Sequence, residues 1–254
     1  MTCIAGARMS GRTGPAIVFV HGVGSTAAIW DYQLRMFGER YRCFAVELRG
    51  NGASKPEPPP ESIARTGFAE DVLTVADAAG VDRFHFVGCS LGGVVGLEVA
   101  ARAPGRLLSL TLVGSFAAYD DGALYAESVI ETVRAAGTME RFAQERVAKL
   151  GMPPGIRTNE TIAQMACKSV DSYIASTRAT WTGDYRQMLG GLAIPVLVVH
   201  GERDAVAPAR YSRAMTQAIP GARMEVLNGA GHVANADAPD AFNRVLQSFL
   251  EGLA

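Results

Sequence analysis

The sequence predicts an α/β fold, with a mostly parallel sheet, helices on both faces and an inserted helical cap. Short apolar runs rich in Val, Ile and Phe alternate with helical periodicity in residues 1–115 and again in residues 191–254. Residues 116–190 carry helical patterns without a strong strand pattern. The alternation is typical of a doubly wound core. The interruption predicts a cap over the C-terminal ends of the core strands.

Four strands and three helices are predicted in the first part of the core. The strands are expected at Ala16–Val20, Cys43–Leu48, Phe84–Val87 and Leu107–Val113. The run Ala16–Val20 is wholly apolar, as expected for a strand buried on both faces. The helices are predicted through Ile29 and Met36, over Phe68–Ala79 and over Leu91–Arg102.

The cap and the second part of the core follow the same reasoning. Glycine and proline breakers divide the cap into helices predicted at Leu124–Ala136, Met139–Leu150, Thr161–Cys167 and Val170–Thr180. The core pattern then resumes with a strand at Ile194–Val199, a helix at Arg210–Ala218, a strand at Arg223–Leu227 and a helix at Ala238–Leu250.

Composition excludes several classes of function. The net charge is −1 and charged residues make up 19% of the chain, so there is no large basic field for nucleic acid. No apolar run approaches the roughly 20 residues that span a bilayer, and the N-terminus lacks the apolar core of a signal peptide. The cysteines are scattered without a C-x-x-C pair, which predicts reduced thiols in a cytoplasmic protein and neither a disulfide framework nor a metal site.

The strongest local motif is G-x-S-x-G at Gly88–Gly92, between a predicted strand and a predicted helix. Such a turn lifts the serine hydroxyl clear of the sheet edge, which makes Ser90 the candidate nucleophile. The turn is strained, and a Cβ atom at either glycine would collide with the neighbouring strand or helix. Cys89 is interpreted as a small buried hydrophobe.

A serine hydroxyl needs a base, and the base needs an orienting acid. His232 and Asp204 both follow predicted strands, so they should meet Ser90 at the carboxyl edge of the sheet. The chain order Ser90, Asp204, His232 is nucleophile, acid, base. Glu202 is the rival for the acid. The backbone N–H groups of Val23 and Leu91 are the candidate oxyanion donors.

Five motifs together resemble the α/β-hydrolase superfamily, and they span nearly the full chain. They are His21–Ser25, Glu47–Ser54, Gly88–Gly92, Gly201–Asp204 and Gly229–His232. Within the superfamily the chain is similar to the group of 3-oxoadipate enol-lactonases and small carboxylesterases. Glu47 and Asn51 stand where many relatives carry Asp and His at loop-supporting positions. The segment before Ala16 is short for two antiparallel strands, so the first strand is expected to be missing or poorly formed.

The resemblance implies a serine hydrolase without metal or organic cofactor. It would cleave a small carboxylic ester or an enol-lactone through an acyl-enzyme on Ser90. Three alternatives use the same fold and triad: a C–C bond hydrolase of a vinylogous diketone, an acyltransferase, and a slow-turnover ligand sensor with a moving cap. No nucleic-acid or membrane partner is expected, and the oligomeric state is left open.

The cap should decide which substrates reach Ser90. Trp181, Tyr125 and Met152 are the candidate pocket residues among the aromatic and methionine side chains of the cap, most of which should be cap core. The basic residues of the cap are interpreted mostly as solvated, with one of them free to pair with a substrate carboxylate: Arg134, Arg141, Arg146, Lys168, Arg178 and Arg186. His21, His85 and His200 are interpreted as structural.

Overall fold

Eight strands form one sheet in the computed structural model, which describes residues 3–4, 6–52, 58–149 and 156–253. In chain order they are β1 (Cys3–Ile4), β2 (Ala7–Ser10), β3 (Ala16–Val20), β4 (Arg42–Val46), β5 (Phe84–Cys89), β6 (Leu107–Val113), β7 (Val196–Gly201) and β8 (Arg223–Leu227). In space the order is β1-β2-β4-β3-β5-β6-β7-β8. The pairs β1–β2 and β2–β4 are antiparallel, and every other pair is parallel. The predicted fold class is confirmed.

The first strand was expected to be missing or poorly formed; it is present, with only two residues. An antiparallel pair fits into the short N-terminal segment because β1 has only two residues and β2 only four. Gly6 takes a positive φ of 84° between them, which is the backbone conformation that a reversal this tight uses.

Helices cover both faces of the sheet. They are α1 (Asp31–Phe37), α2 (Arg65–Ala78), α3 (Leu91–Arg102), α8 (Ala209–Ala218), α9 (Ala234–Asp237) and α10 (Pro239–Glu251), with α4 to α7 in the cap. Successive residues of β3 face opposite sides. Ile17 and Phe19 pack with α1 and α10, whereas Val18 and Val20 pack with α2, α3 and α8.

The cap helices lie between β6 and β7 and are α4 (Gly122–Ala136), α5 (Met139–Lys149), α6 (Ile156–Ala166) and α7 (Val170–Trp181). They enclose an apolar cluster of their own that includes Phe142, Met165 and Tyr173. The two ends of the insertion meet at a bridge between Ala118 and Asp184. Trp181 stacks on Phe116, with ring centroids 4.9 Å apart, and so joins the end of the cap to the core.

Element boundaries differ from the predictions where the apolar pattern gives no signal. α2 begins at Arg65, three residues before the predicted start at Phe68. The apolar pattern does not reveal this first turn, because Arg65 and Thr66 are polar. β7 begins after Pro195, whose carbonyl accepts the Leu110 N–H but which has no N–H to donate. The four-residue α9 is too short to show periodicity.

None of the helices in the described ranges combines the length and apolar character that a membrane crossing requires.

Candidate active site

Ser90 lies in the turn between β5 and α3, and its backbone is strained. Its φ of 54° and ψ of −116° are rare for a residue with a side chain. Its backbone groups are held by hydrogen bonds from two sides. The Ser90 N–H donates to the Val113 carbonyl at the end of β6 (2.8 Å), and the Ser90 carbonyl accepts from the Ser115 hydroxyl just after β6 (2.9 Å). The same carbonyl accepts the N–H groups of Gly93 (2.9 Å) and Val94 (3.2 Å) in α3.

The two glycines of the motif are required by close backbone approach. A Cβ at Gly88 would lie 2.2 Å from the Gly92 carbonyl oxygen. A Cβ at Gly92 would lie 2.1 Å from the carbonyl oxygen of Val20, on β3. Both distances are far below van der Waals contact, so the turn can form only without these side chains. The predicted collisions are both present: a Cβ at Gly88 would meet the helix, and a Cβ at Gly92 would meet the strand.

His232 and Asp204 are brought together by the loops after β8 and β7. The His232 Nδ1 lies 3.0 Å from one oxygen of the Asp204 carboxylate and 2.9 Å from the other. An ionised carboxylate only accepts hydrogen bonds, so Nδ1 carries the proton and donates it. In the neutral ring, the other nitrogen, Nε2, is then the acceptor. The Asp204 side chain is fully buried, and the His232 side chain is 14% exposed.

The Asp204 carboxylate is held in place by backbone groups. Its Oδ1 accepts the N–H groups of Val206 and Ala207, each at 2.9 Å. Gly114, the residue after β6, packs against the pair, and a Cβ there would lie 2.6 Å from the His232 carbonyl oxygen. Glu202 points elsewhere and accepts the Gly229 N–H at 2.7 Å. Of the two candidate acids, Asp204 is the one that contacts His232.

One cavity of about 370 Å³ lies between the core edge and the cap. Its core wall includes Ser90, His232 and the loop from Gly22 to Ser25. Its cap wall includes Met165, Tyr173 and Trp181. Further residues complete the lining: Ala28, Ile29, Asp31, Tyr32, Cys89, Arg146, Glu160, Thr161, Gln164, Val206, Val233 and Ala236. The cavity has the size of a site for a small ligand.

The two predicted oxyanion donors belong to two different elements next to Ser90, the loop after β3 and the start of α3. Val23 belongs to the cavity-lining loop after β3, and that loop closes with a hydrogen bond from the Ser25 N–H to the Gly22 carbonyl (3.2 Å). A Cβ at Gly22 would lie 3.2 Å from the Ser90 Cβ, so the loop passes directly beside the serine. Leu91 is the first residue of α3, where backbone N–H groups have no partner within the helix.

The other histidines serve packing and loop support. His21 is fully buried; its Nε2 accepts the Leu48 N–H (3.2 Å) and lies 3.2 Å from a Glu47 oxygen. His85 contacts the Ser109 hydroxyl at 2.8 Å, and burial lowers the pKa of its ring to about 4. Burial likewise lowers the pKa of the His200 ring. None of the three lines the cavity.

The predicted pocket residues have different outcomes. Trp181 lines the cavity. Tyr125 contacts the Trp181 ring, with centroids 4.6 Å apart, but does not belong to the lining. Met152 lies outside the described residues.

Two basic residues of the cap depart from the expected solvated state. Arg146 lines the cavity, and Lys168 is only 7% exposed. Helical periodicity on α5 could have pointed to Arg146, whereas Lys168 lies in a turn that has no period to read.

Within the part of the chain that the structure describes, no group of three or more His, Cys, Asp or Glu could hold a metal ion.

The chain belongs to the α/β hydrolase family, whose sequence model matches residues 17–245. It is 28% identical to a RutD protein of Azorhizobium caulinodans, provisionally named a carbamate hydrolase, over 93% of this chain and 91% of that protein. It is 27% identical to 3-oxoadipate enol-lactonase 1 of Acinetobacter baylyi, over 95% of this chain and 91% of that protein. The solved structure of a hydrolase from Pseudomonas aeruginosa superposes with a TM-score of 0.87 at 30% identity, covering 96% of this chain and 93% of that one. The predicted resemblance to the enol-lactonase and esterase group is confirmed.

Proposed function

We propose that this hydrolase cleaves small carboxylic esters or lactones through an acyl-enzyme on Ser90. The observation that carries the proposal is the Asp204–His232 pair, because His232 lines the same cavity as Ser90. In the neutral imidazole, a hydrogen bond from Nδ1 to Asp204 directs the basic nitrogen Nε2 away from the carboxylate, which is the tautomer a general base needs. The strained turn at Ser90 is of the kind that exposes a nucleophile.

The reaction would proceed in two halves. Ser90 Oγ attacks the carbonyl carbon while His232 Nε2 takes its proton, and the Val23 and Leu91 N–H groups stabilise the oxyanion. His232 then protonates the departing alcohol or enol oxygen as the carbon–oxygen bond breaks. A water molecule attacks the acyl carbon with His232 as base again, which releases the acid and restores Ser90. Asp204 stays ionised and stabilises the imidazolium in both halves.

The lining of the cavity favours a neutral substrate. The cap wall next to the core loop is apolar and aromatic, with Met165, Tyr173 and Trp181. Burial raises the pKa of the Tyr173 phenol to about 12, so this group stays neutral. The charged lining residues are Arg146, Asp31 and Glu160, and Asp31 pairs with Arg8 at 3.0 Å. This balance gives no excess positive charge for a carboxylated substrate.

The test is hydrolysis of p-nitrophenyl acetate and butyrate and of an uncharged lactone by the wild-type protein and by Ser90→Ala. We expect steady turnover by the wild type, and a loss of roughly 10³-fold or more in kcat on removal of the hydroxyl. Product analysis should give the free acid without transfer to an added alcohol. Full activity of Ser90→Ala would contradict the proposal. Binding of the lactone without turnover would instead favour a ligand sensor.

A further inference from the structure

Lys168 is a buried ammonium that reaches from the cap to the core loop beside Ser90. It lies in the turn between α6 and α7, and only 7% of the residue is exposed. Its Nζ donates to the Ser25 carbonyl at 3.2 Å and to the Asn51 side-chain oxygen. Ser25 ends the cavity-lining loop that holds Val23. A surface role does not account for a lysine with these contacts, because burying its charge costs free energy.

The acceptors around Lys168 are oriented for it. The Asn51 amide nitrogen donates to the carbonyls of Leu48 (3.2 Å) and Arg49 (2.9 Å), which turns its oxygen toward the ammonium. The Glu47 carboxylate attracts Lys168 electrostatically and accepts the N–H of Ala27 at 3.4 Å. Lys168 therefore bonds to Ser25 and Glu47 to Ala27, while Asn51 links Lys168 to the turn after β4.

The two helices that flank Lys168 also contact the loop, through apolar side chains. Gly24 has a positive φ of 78°, and a Cβ there would lie 2.8 Å from the Met165 methyl carbon and 3.3 Å from the Tyr173 ring. Met165 and Tyr173 lie on α6 and α7, on either side of Lys168. Met165 and Tyr173 thus lie against Gly24, while Lys168 supplies the hydrogen bond from the cap to this loop.

We propose that Lys168 is a positioning residue that ties the cap to the loop from Gly22 to Ser25 and so holds the Val23 N–H where the oxyanion forms. The proposal rests on the function proposed above. A charge-assisted hydrogen bond is roughly twice as strong as a neutral one, so the ammonium form holds the Ser25 carbonyl more firmly than the free amine does. The benefit appears in the transition state, because the oxyanion exists only there.

The charge state of Lys168 should make this contact depend on pH. Burial lowers the pKa of Lys168 to about 7, against the opposing attraction of Glu47 and, more weakly, of Cys167. His21 faces Glu47 from the other side at 3.2 Å. As the pH rises through the pKa of Lys168, the ammonium loses its proton and kcat should fall.

The test compares Lys168→Met with Arg141→Met, a control that removes an exposed cap cation paired with Glu145 at 2.9 Å. We expect Lys168→Met to lower kcat for p-nitrophenyl butyrate by about 10-fold near pH 6.5, with little change in KM, since a displaced donor weakens only transition-state binding. Binding of butylboronic acid, which forms a tetrahedral adduct with the serine, should weaken in parallel. The difference in kcat between Lys168→Met and the wild type should narrow toward about pH 9, where Lys168 of the wild type is neutral. The control should match the wild type throughout.

A second variant keeps the test decisive if Lys168→Met does not fold. Glu47→Gln retains the acceptor for Ala27 but removes the charge that favours the ammonium, so the alkaline fall in kcat should move to lower pH. An unchanged profile in Glu47→Gln, or wild-type kcat and boronate affinity in Lys168→Met, would overturn the role of Lys168. Activity retained by Ser90→Ala, measured alongside, would instead overturn the proposed function.

Discussion

The two walls of the cavity are built in different ways. The core wall is fixed by backbone, because Ser90, Asp204 and His232 sit in turns where glycines allow main chain to approach main chain within van der Waals contact. The cap wall is made of side chains, since Met165, Tyr173 and Trp181 project from helices that pack by apolar contact. Backbone geometry tolerates little change, whereas apolar packing tolerates swaps of similar volume.

This difference separates two kinds of control over the reaction. Changes on the core wall should act on kcat, because they displace groups that touch the reacting atoms. Changes on the cap wall should act on KM and on the choice of substrate, because they alter the shape that the acyl group meets. A cap variant that has no bond to the core loop and yet acts on kcat alone would contradict this separation. Lys168 is the exception that the structure itself suggests, since it is a cap residue bonded to the core loop.

The largest effect is expected for Asp204→Asn. The amide cannot orient the His232 tautomer or stabilise the imidazolium, so kcat should fall by about 10⁴-fold with little change in fold. Steady-state kinetics on p-nitrophenyl butyrate measures the loss. Glu202→Gln is the matched control and should retain activity, because Glu202 bonds only to the Gly229 N–H among the described contacts. A large loss in Glu202→Gln with activity kept in Asp204→Asn would move the acid to Glu202.

A methyl group at Gly114 should be the next most damaging change. Its Cβ would lie 2.6 Å from the His232 carbonyl oxygen and 3.1 Å from the Asp204 carboxylate, so the pair must move and kcat should fall by at least ~10-fold. Gly137→Ala is the control, because Gly137 also has a positive φ but nothing lies within 4 Å of its Cβ. It should cost about 1 kcal/mol of stability and leave kcat unchanged. Equal kcat losses in both variants would show that strain, not the collision, is responsible.

A smaller and different effect is expected for Met165→Ala on the cap wall. The variant enlarges the cavity, so KM should fall for esters with longer acyl chains relative to p-nitrophenyl acetate. The free energy of unfolding should drop by about 2–4 kcal/mol, as for other buried methionines. Leu124→Ala removes an apolar cap side chain that is 73% exposed and should change neither quantity. A loss of kcat for every ester without a change in chain-length preference would contradict the separation of the walls.

The smallest effect on catalysis is expected at His85, away from both walls. Burial lowers the pKa of its ring to about 4, so the folded state binds fewer protons than the unfolded state between about pH 6.5 and pH 4. The free energy of unfolding should therefore decrease as the pH falls through this range. Replacement by Gln should flatten that dependence in urea titrations and leave kcat unchanged. An unaltered slope would contradict the assignment.

Candidate residues could be chosen from the sequence more sharply on the core wall than on the cap wall. Ser90, Asp204 and His232 could be chosen because each follows a strand and lies beside glycines whose spacing is itself a signal. The sequence favoured Asp204 over Glu202 in the same turn without excluding Glu202; in the structure Asp204 contacts His232, whereas Glu202 accepts the Gly229 N–H.

The cap could not be predicted in the same detail, because apolar side chains at helical spacing look alike whether they face a cavity or a neighbouring helix. Trp181 and Tyr125 both lie in contact with each other, yet only Trp181 lines the cavity. Lys168 was misjudged for a related reason: its burial depends on a contact with Ser25, 143 positions away. Long-range contacts of this kind leave no local pattern.

The central claim is that Ser90 carries the acyl group, and it can be tested by trapping the intermediate. The protein is mixed with excess p-nitrophenyl butyrate and quenched in acid, and the residue that carries the acyl mass is located by peptide mass spectrometry. Cys89 is the adjacent nucleophile on the cavity lining, so the assignment must separate neighbouring residues. We expect a butyryl group on Ser90 in the wild type and in Cys89→Ala, and none in Ser90→Ala. A butyryl group that stays in Ser90→Ala and disappears in Cys89→Ala would contradict it.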